Sequence, residues 1–107
     1  MEGYVQDALK FATVFLLGLA YAAPVLILLA ALIVAMGRVV AKREGWSHFD
    51  GQYWAYITAL TVGYGDLHPT RKLSKVLATF IATVGIVFTA IIVAAALRAL
   101  HQVIQVL

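Results

Sequence analysis

Two long runs of the sequence contain no Asp, Glu, Lys, Arg or His: Phe11–Gly37 and Val76–Leu97. As helices they would reach roughly 40 and 33 Å at about 1.5 Å per residue, enough to cross a hydrocarbon core about 30 Å thick. A secretory signal peptide would be shorter and would follow basic residues, whereas here Glu2 and Asp7 outnumber Lys10. The pattern predicts an integral membrane protein with two spanning helices.

The outer helix is expected at about 11–37. Pro24 lies inside it; because a neighbouring helix in lipid can satisfy the freed carbonyl, we expect a kink rather than a break. Residues 1–9 could form a short helix along the membrane interface. Residues 39–46 are polar enough to return to the surface.

A shorter apolar segment lies between the two spans. Ser47 is a good helix N-cap, and Asp50 three residues later completes an acidic version of the capping box. We therefore predict a helix over 48–60. A helix of about thirteen residues is too short to span a bilayer and too apolar to lie in water, which favours a re-entrant segment.

Beyond this segment, Pro69 and a basic cluster mark a return to the surface, and the inner helix is expected at about 73–100. This helix is rich in small residues, which let helices approach closely in lipid. The chain 1–107 is thus predicted to be one all-α membrane domain.

Composition supports the same class. The chain is 64% apolar and 12% charged, whereas about a quarter of the residues of soluble domains are charged. The net charge of +3 comes mostly from basic residues that flank the spans, so membrane lipids rather than nucleic acid are the expected partner. No cysteine is present. The sequence offers no nucleophile, base or metal cluster of the kind an enzyme needs, so neither an enzyme nor a cofactor is expected.

The stretch 61–66, "TVGYGD", follows the predicted re-entrant helix. Non-helical backbone at membrane depth must be buried in protein or line a wet space. Carbonyls that all point to one side need residues alternating between negative and positive φ, and glycine adopts positive φ at little cost. Gly63 and Gly65 are spaced for this. Several such strands around an axis would stack rings of oxygens that could replace the water shell of a cation.

"TVGYGD" matches the signature sequence of potassium channels, and the order of outer helix, pore helix, filter and inner helix resembles the two-helix potassium channels of prokaryotes. The resemblance covers nearly the whole chain. It implies a homotetramer in which four filter strands surround one pore that conducts K⁺ and rejects Na⁺. It also implies a location in the prokaryotic inner membrane with cytoplasmic termini.

The resemblance assigns a role to each residue of the filter. Thr61 would bind K⁺ through its hydroxyl and carbonyl, and carbonyls would come from the next three residues: Val62, Gly63 and Tyr64. Support for the filter would come from Gly65, Asp66, Tyr53 and Trp54, with the last two in an aromatic cuff.

The same resemblance places the gating elements on the inner helix. Gly85 matches the hinge glycine, although it could also be a plain helix-packing residue. Helical spacing from it puts Thr89, Val93, and Ala96 or Leu97 on the pore-facing side. Ile86 is also expected to line the cavity, and Leu97 could belong to a gate. His101 could sense pH or be a solvated terminal histidine. His68 would lie at the outer mouth.

Three positions depart from the family pattern. Tyr53 stands in place of the more usual tryptophan, which leaves open whether it bonds to Asp66. Leu60 replaces a common second threonine. Ile57 occupies the position of a glutamate that pairs with the aspartate in some members, so weaker filter inactivation is expected.

Other interpretations remain open at this stage. A weakly selective cation channel is one, and a pore-loop transporter or regulatory subunit is another. The positive-inside rule also conflicts with the family orientation. Six Lys and Arg residues lie between the spans, and two, Lys10 and Arg98, lie elsewhere. The six are Arg38, Lys42, Arg43, Arg71, Lys72 and Lys75.

Overall fold

The computed structural model describes residues 2–104 and contains three helices: α1 (Glu2–Glu44), α2 (His48–Ala59) and α3 (Lys72–Ile104). No strand occurs in this described range, so the predicted all-α fold is confirmed. The outermost residues of the predicted domain, 1 and 105–107, lie outside the described residues. Two helices, α1 and α3, are long and apolar enough to cross a membrane, judged by length and composition.

α1 extends beyond the predicted 11–37 at both ends. Residues 2–10 continue the same helix, so they form no separate interface helix, and the segment predicted at the surface stays helical as far as Glu44. The helix ends where Gly45 takes a φ of +74°. The Trp46 N–H then donates to the Ala41 carbonyl at 2.9 Å, which is the long hydrogen bond of a Schellman cap.

Pro24 stays within α1. A straight helix of 43 residues would measure about 65 Å, more than the 54 Å longest extent of the molecule. α1 is therefore curved, as expected of a helix in which proline removes a hydrogen bond.

α2 begins as its sequence predicts. The Ser47 side chain accepts a hydrogen bond from the Asp50 N–H at 3.1 Å, in the geometry of an N-cap. The helix ends at Ala59, one residue before the predicted end, with Leu60 as its C-cap. This 12-residue helix lies against both long helices.

α1 and α2 approach closely through small residues at helical spacing. A Cβ on Gly37 would lie 2.7 Å from the Ala55 Cβ, and one on Gly51 would lie 2.5 Å from the Ala41 Cβ. Each helix therefore presents a Gly-x-x-x-Ala pair to the other, the kind of interface that lets membrane helices pack without a hydrophobic drive.

Replacing Gly37 with alanine should destabilise this contact by about 1–3 kcal/mol, the usual cost of overpacking. Because the clash is with the Ala55 Cβ, the double variant Gly37→Ala/Ala55→Gly should be more stable than Gly37→Ala alone. Thermal unfolding of the detergent-solubilised protein measures both. Gly3→Ala, which places its Cβ in open space, is the control; a double variant less stable than Gly37→Ala would contradict the assigned contact.

The buried core lies where the three helices meet, and large apolar side chains elsewhere are exposed. The core cluster consists of Ile33, Val40, Trp54, Ala55, Ala59 and Ile81. In contrast, Tyr21 on α1 is 93% exposed, and Leu28 and Phe80 are more than half exposed. Exposed apolar surface on this scale indicates contact with lipid or with other protein chains.

Candidate functional site

The segment after α2 has an alternating backbone. Positive φ angles occur at Thr61 (64°), Gly63 (57°) and Gly65 (83°), whereas Val62 and Tyr64 between them have none. The two glycines behave as the sequence predicts. Thr61 was not expected to do so, since positive φ is unfavourable for a β-branched residue. Its conformation is therefore strained, a feature that concentrates at functional sites.

Two consecutive N–H groups of this segment point at one acceptor. Those of Val62 and Gly63 both donate to the Ile57 carbonyl of α2, at 2.8 and 3.2 Å. No peptide bond within 2–104 is cis, and in a trans peptide the N–H and the preceding C=O point in opposite directions. The carbonyls of Thr61 and Val62 therefore both point away from α2, on the same side of the strand.

Tyr53 forms a hydrogen bond with Asp66, although the family more usually has tryptophan at this position. The phenol hydroxyl donates to Asp66 Oδ2 at 3.0 Å. The bond ties α2 to the residue that immediately follows the glycine-rich segment. The position of the Asp66 carboxylate is thereby restrained by a side chain of the same chain.

Trp54 lies in the core of its own chain. It is 3% exposed and packs edge-on against Trp46, with ring centroids 5.5 Å apart and planes at 62°. The sequence predicts Trp54 beside Tyr53 in an aromatic cuff, but it gives no indication of the contact with Trp46. Trp54 thus anchors α2 to the end of α1.

A carboxylate at the end of α1 binds the start of α3. Glu44 accepts hydrogen bonds from the Thr70 N–H and hydroxyl, from the Arg71 N–H at 3.3 Å and from the Ser74 hydroxyl at 3.3 Å. Ser74 is fully buried. These donors include the orphan N–H groups of a helix N-terminus, where negative charge is also favoured by the helix dipole. Sequence reasoning missed this cluster, because its members lie far apart along the chain.

Glu44 lies beyond the charge-free run that ends at Gly37. Partial burial raises its pKa, and the hydrogen bonds from Thr70, Arg71 and Ser74 outweigh that effect, so the pKa lies below the ordinary 4.5. A depressed folded-state pKa contributes stability above the unfolded pKa, and that stability is lost as pH falls through the folded value.

We expect the melting temperature to fall as pH drops below about 4.5, the ordinary Glu value, partly because Glu44 becomes protonated. In Glu44→Gln this part of the pH dependence should be absent and the melting temperature at neutral pH should be lower. Thermal unfolding at a series of pH values measures it. Asp7→Gln, which alters a carboxylate in the first turns of α1, is the control. An unchanged pH profile in Glu44→Gln would contradict this role.

Gly85 packs directly on the end of α2. A Cβ on it would lie 2.2 Å from the Ala59 carbonyl oxygen and 2.5 Å from the Ala59 Cα. α3 continues as one helix through this position. The contact supports the helix-packing interpretation of Gly85, and its role as a hinge stays a prediction.

The other predicted residues are exposed in the single chain. Tyr64 is 73% exposed, so its ring is largely unpacked within its own chain. On α3 the predicted pore-facing side is exposed as a continuous stripe: Ile86, Thr89, Val93 and Leu97. His68 and His101 are also exposed. Within residues 2–104, no group of three His, Asp or Glu could hold a metal ion.

The sequence of the chain matches a known protein family. The model of the ion channel family matches residues 12–102. Relatives include TWiK family of potassium channels protein 7 of Caenorhabditis elegans, 51% identical over 51 residues, which are 45% of this chain and 9% of that protein. Potassium voltage-gated channel subfamily A member 10 of Mus musculus is 43% identical over 52 residues, 45% of this chain and 10% of that protein.

A further relative matches a shorter stretch of the chain. The voltage-gated potassium channel of Aeropyrum pernix is 45% identical over 40 residues, which are 37% of this chain and 14% of that protein. The matched segments thus span about a tenth of the length of these curated relatives. No solved structure gives a significant match. Because the family model extends over most of the sequence, from α1 to the end of α3, the chain belongs to the ion channel family.

Proposed function

We propose that this protein is a K⁺-selective channel in which four copies of the chain surround one pore. The observation that carries the proposal is the backbone of 61–65, where positive φ at every second residue accompanies two consecutive carbonyls on one side. The names of the relatives, which are potassium channels, support the choice of ion.

In this proposal the segment is the selectivity filter. Four strands would stack rings of carbonyl oxygens from Thr61, Val62, Gly63 and Tyr64, with the Thr61 hydroxyl at the inner end. These rings would replace the hydration shell of K⁺, and passage requires binding that is favourable but shared among several sites. The hydrogen bonds from Val62 and Gly63 to Ile57 hold the strand against α2.

α2 would add an electrostatic contribution. The C-terminal end of a helix carries about half a negative charge, and α2 ends next to Leu60, immediately before the filter. Four such ends directed toward a central cavity would favour a cation there. The exposed stripe on α3 would line that cavity, and the remaining copies would cover the Tyr64 ring.

The protein is an integral membrane protein of the ion channel family, and we propose that both termini are cytoplasmic in a prokaryotic inner membrane. The filter segment ends at Asp66, and α3 begins six residues later at Lys72, beside the hydrogen bonds that join Glu44 to Thr70. Six of the eight Lys and Arg residues lie between the two spans, contrary to the positive-inside rule. The proposal follows the filter motif, because re-entrant segments complicate the count of loop charges.

Filter inactivation should be weak. The Ile57 carbonyl accepts hydrogen bonds from the Val62 and Gly63 N–H groups, but the Ile57 side chain has no carboxylate to pair with Asp66. Asp66 instead accepts a hydrogen bond from the Tyr53 hydroxyl. Macroscopic K⁺ current with the gate held open should therefore stay steady, and Ile57→Glu should introduce decay. Tyr53→Phe, which removes the bond to Asp66, is the comparison variant. Current that collapsed within seconds in the unmodified protein would contradict the prediction.

The proposal is tested by reconstituting the purified protein and recording across a planar bilayer. A channel gives unitary current steps, whereas a transporter of the same pore-loop type gives none. The protein mass in the detergent complex, measured by light scattering, should correspond to four chains. A stable assembly with any other copy number would overturn the proposed pore.

A further inference from the structure

An open groove of about 700 Å³ runs along the contact between α1 and α3, at the end of the molecule remote from the filter. The side chains from α1 lie one helical turn apart along one stripe: Val14, Leu17, Gly18 and Tyr21. Those from α3 form a second stripe: Ile91, Ala94, Ala95, Arg98 and Gln102. The lining is therefore mostly apolar, with polar groups toward its ends.

The groove lies on the outward side of the proposed pore. At about 100° per residue, Arg98 and Gln102 are rotated roughly 140–180° from Val93, which belongs to the stripe proposed to line the cavity. Assembly around that stripe turns the groove away from the axis, toward lipid. This orientation rests on the proposed function.

Arg98 lies at a depth where α1 is apolar. The antiparallel helices are in register near Gly18, where an added Cβ would meet the Ala95 Cβ at 3.4 Å. Arg98 shares the groove with Val14 and Leu17, which belong to the charge-free run of α1. Arg98 itself directly follows the charge-free run of α3, so it is expected at the membrane boundary, where a basic side chain attracts anionic lipid head groups.

Within the described part of the chain, no anionic side chain pairs with Arg98. Arg98 is exposed, and within residues 2–104 it makes no ion pair. Most of the residues that line the groove with Arg98 are apolar, among them Val14, Leu17 and Ala94. A molecule that carries both a phosphate and a hydrocarbon chain matches a guanidinium beside an apolar groove. A free anion would pair with Arg98 but would leave the apolar part of the groove unfilled.

We propose that the groove binds an anionic phospholipid of the adjacent leaflet. Its phosphate contacts the Arg98 guanidinium, the Gln102 amide contributes a further hydrogen-bonding group, and an acyl chain lies between the stripe of α1 and Ala94. The lipid thereby lies in the groove over the contact between the two spanning helices, next to the end of the pore-lining helix.

The test offers the purified assembly an equimolar mixture of phosphatidylglycerol and phosphatidylcholine and counts retained lipids by native mass spectrometry. The unmodified protein should prefer phosphatidylglycerol. Arg98→Gln should reduce that preference about five-fold, the contribution of one basic residue near an anionic lipid surface, while Arg98→Lys retains most of it. Arg38→Gln is the matched control, because Arg38 is exposed and also directly follows a charge-free run.

Two further arms locate the lipid. Ala94→Trp fills the groove, leaves Arg98 in place and should lower retention of phosphatidylglycerol, and soluble glycerol phosphate should not compete. Equal losses in Arg98→Gln and Arg38→Gln, no effect of Ala94→Trp, or full competition by glycerol phosphate would each overturn the site. Because K⁺ flux is measured separately on the same preparations, a protein that binds lipid here without conducting K⁺ would refute the channel and leave the groove site standing.

Discussion

Replacing Gly63 with alanine is expected to remove most of the discrimination between K⁺ and Na⁺ while the chain still folds. Gly63 has a φ of +57°, a conformation that costs an L-residue with a Cβ about 1–2 kcal/mol. The cost recurs in each of four copies in the proposed pore. The strand would relieve it by returning to negative φ, which rotates the neighbouring carbonyls off the common side. The ratio of K⁺ to Na⁺ permeability should fall at least about ten-fold, because a change of about 1.4 kcal/mol in the free energy that separates the two ions corresponds to a factor of ten.

The chain offers a close control for this experiment. Gly45 also has a positive φ, +74°, and a Cβ on either glycine would meet no heavy atom within 4 Å. Gly45→Ala therefore introduces similar backbone strain in the turn between α1 and α2, away from the filter. It should lower the melting temperature and leave selectivity unchanged. Equal selectivity in Gly63→Ala and the unmodified protein would contradict the importance of the alternating backbone.

Replacing Gly85 with alanine is expected to prevent α2 and α3 from packing. The new Cβ would lie 2.2 Å from the Ala59 carbonyl oxygen and 2.6 Å from its carbonyl carbon. These are backbone atoms, so no side-chain rotation relieves the clash. We expect a loss of about 3 kcal/mol, the upper part of the range for overpacked cores, and a marked loss of the assembled form. Size-exclusion chromatography and thermal unfolding measure both effects.

Two companion variants separate packing from hinge motion. Gly18→Ala, whose Cβ would meet the Ala95 Cβ at 3.4 Å, should be tolerated and gain helix propensity. Ala59→Gly should fail to rescue Gly85→Ala, because the clash is with the backbone. If Gly85→Ala assembled with normal stability and altered only channel opening, Gly85 would be a hinge and its contact with α2 would have little energetic weight.

The charge-free runs and one capping residue predict the three helices well, because membrane crossing and N-caps leave local signals. The ends of α1 were harder to predict. Residues 42–44 are charged, which indicates the surface, but charge does not end a helix whose residues include good helix formers such as Lys and Arg. α1 ends instead where Gly45 adopts positive φ.

Other features depend on contacts that no local pattern reveals. Glu44 meets Thr70 and Ser74 only once α1 and α3 lie side by side. The Gly-x-x-x-Ala spacing of Gly37 and Gly51 is visible in the sequence, but α3 contains more small residues, which made the inner helix the expected close-packing surface. Thr61 adopts a positive φ although β-branched residues prefer negative φ. A conflict between the local preference of a residue and its observed conformation is expected at functional sites.

The most direct test of the central claim is a reversal potential. Purified protein in a planar bilayer is recorded with K⁺ on one side and an equal concentration of Na⁺ on the other. If carbonyls aligned by alternating φ replace the water around K⁺, the reversal potential will lie far from zero, in the direction that marks K⁺ as the permeant ion, and Tyr64→Asp will move it toward zero. A reversal potential near zero in the unmodified protein would contradict the account.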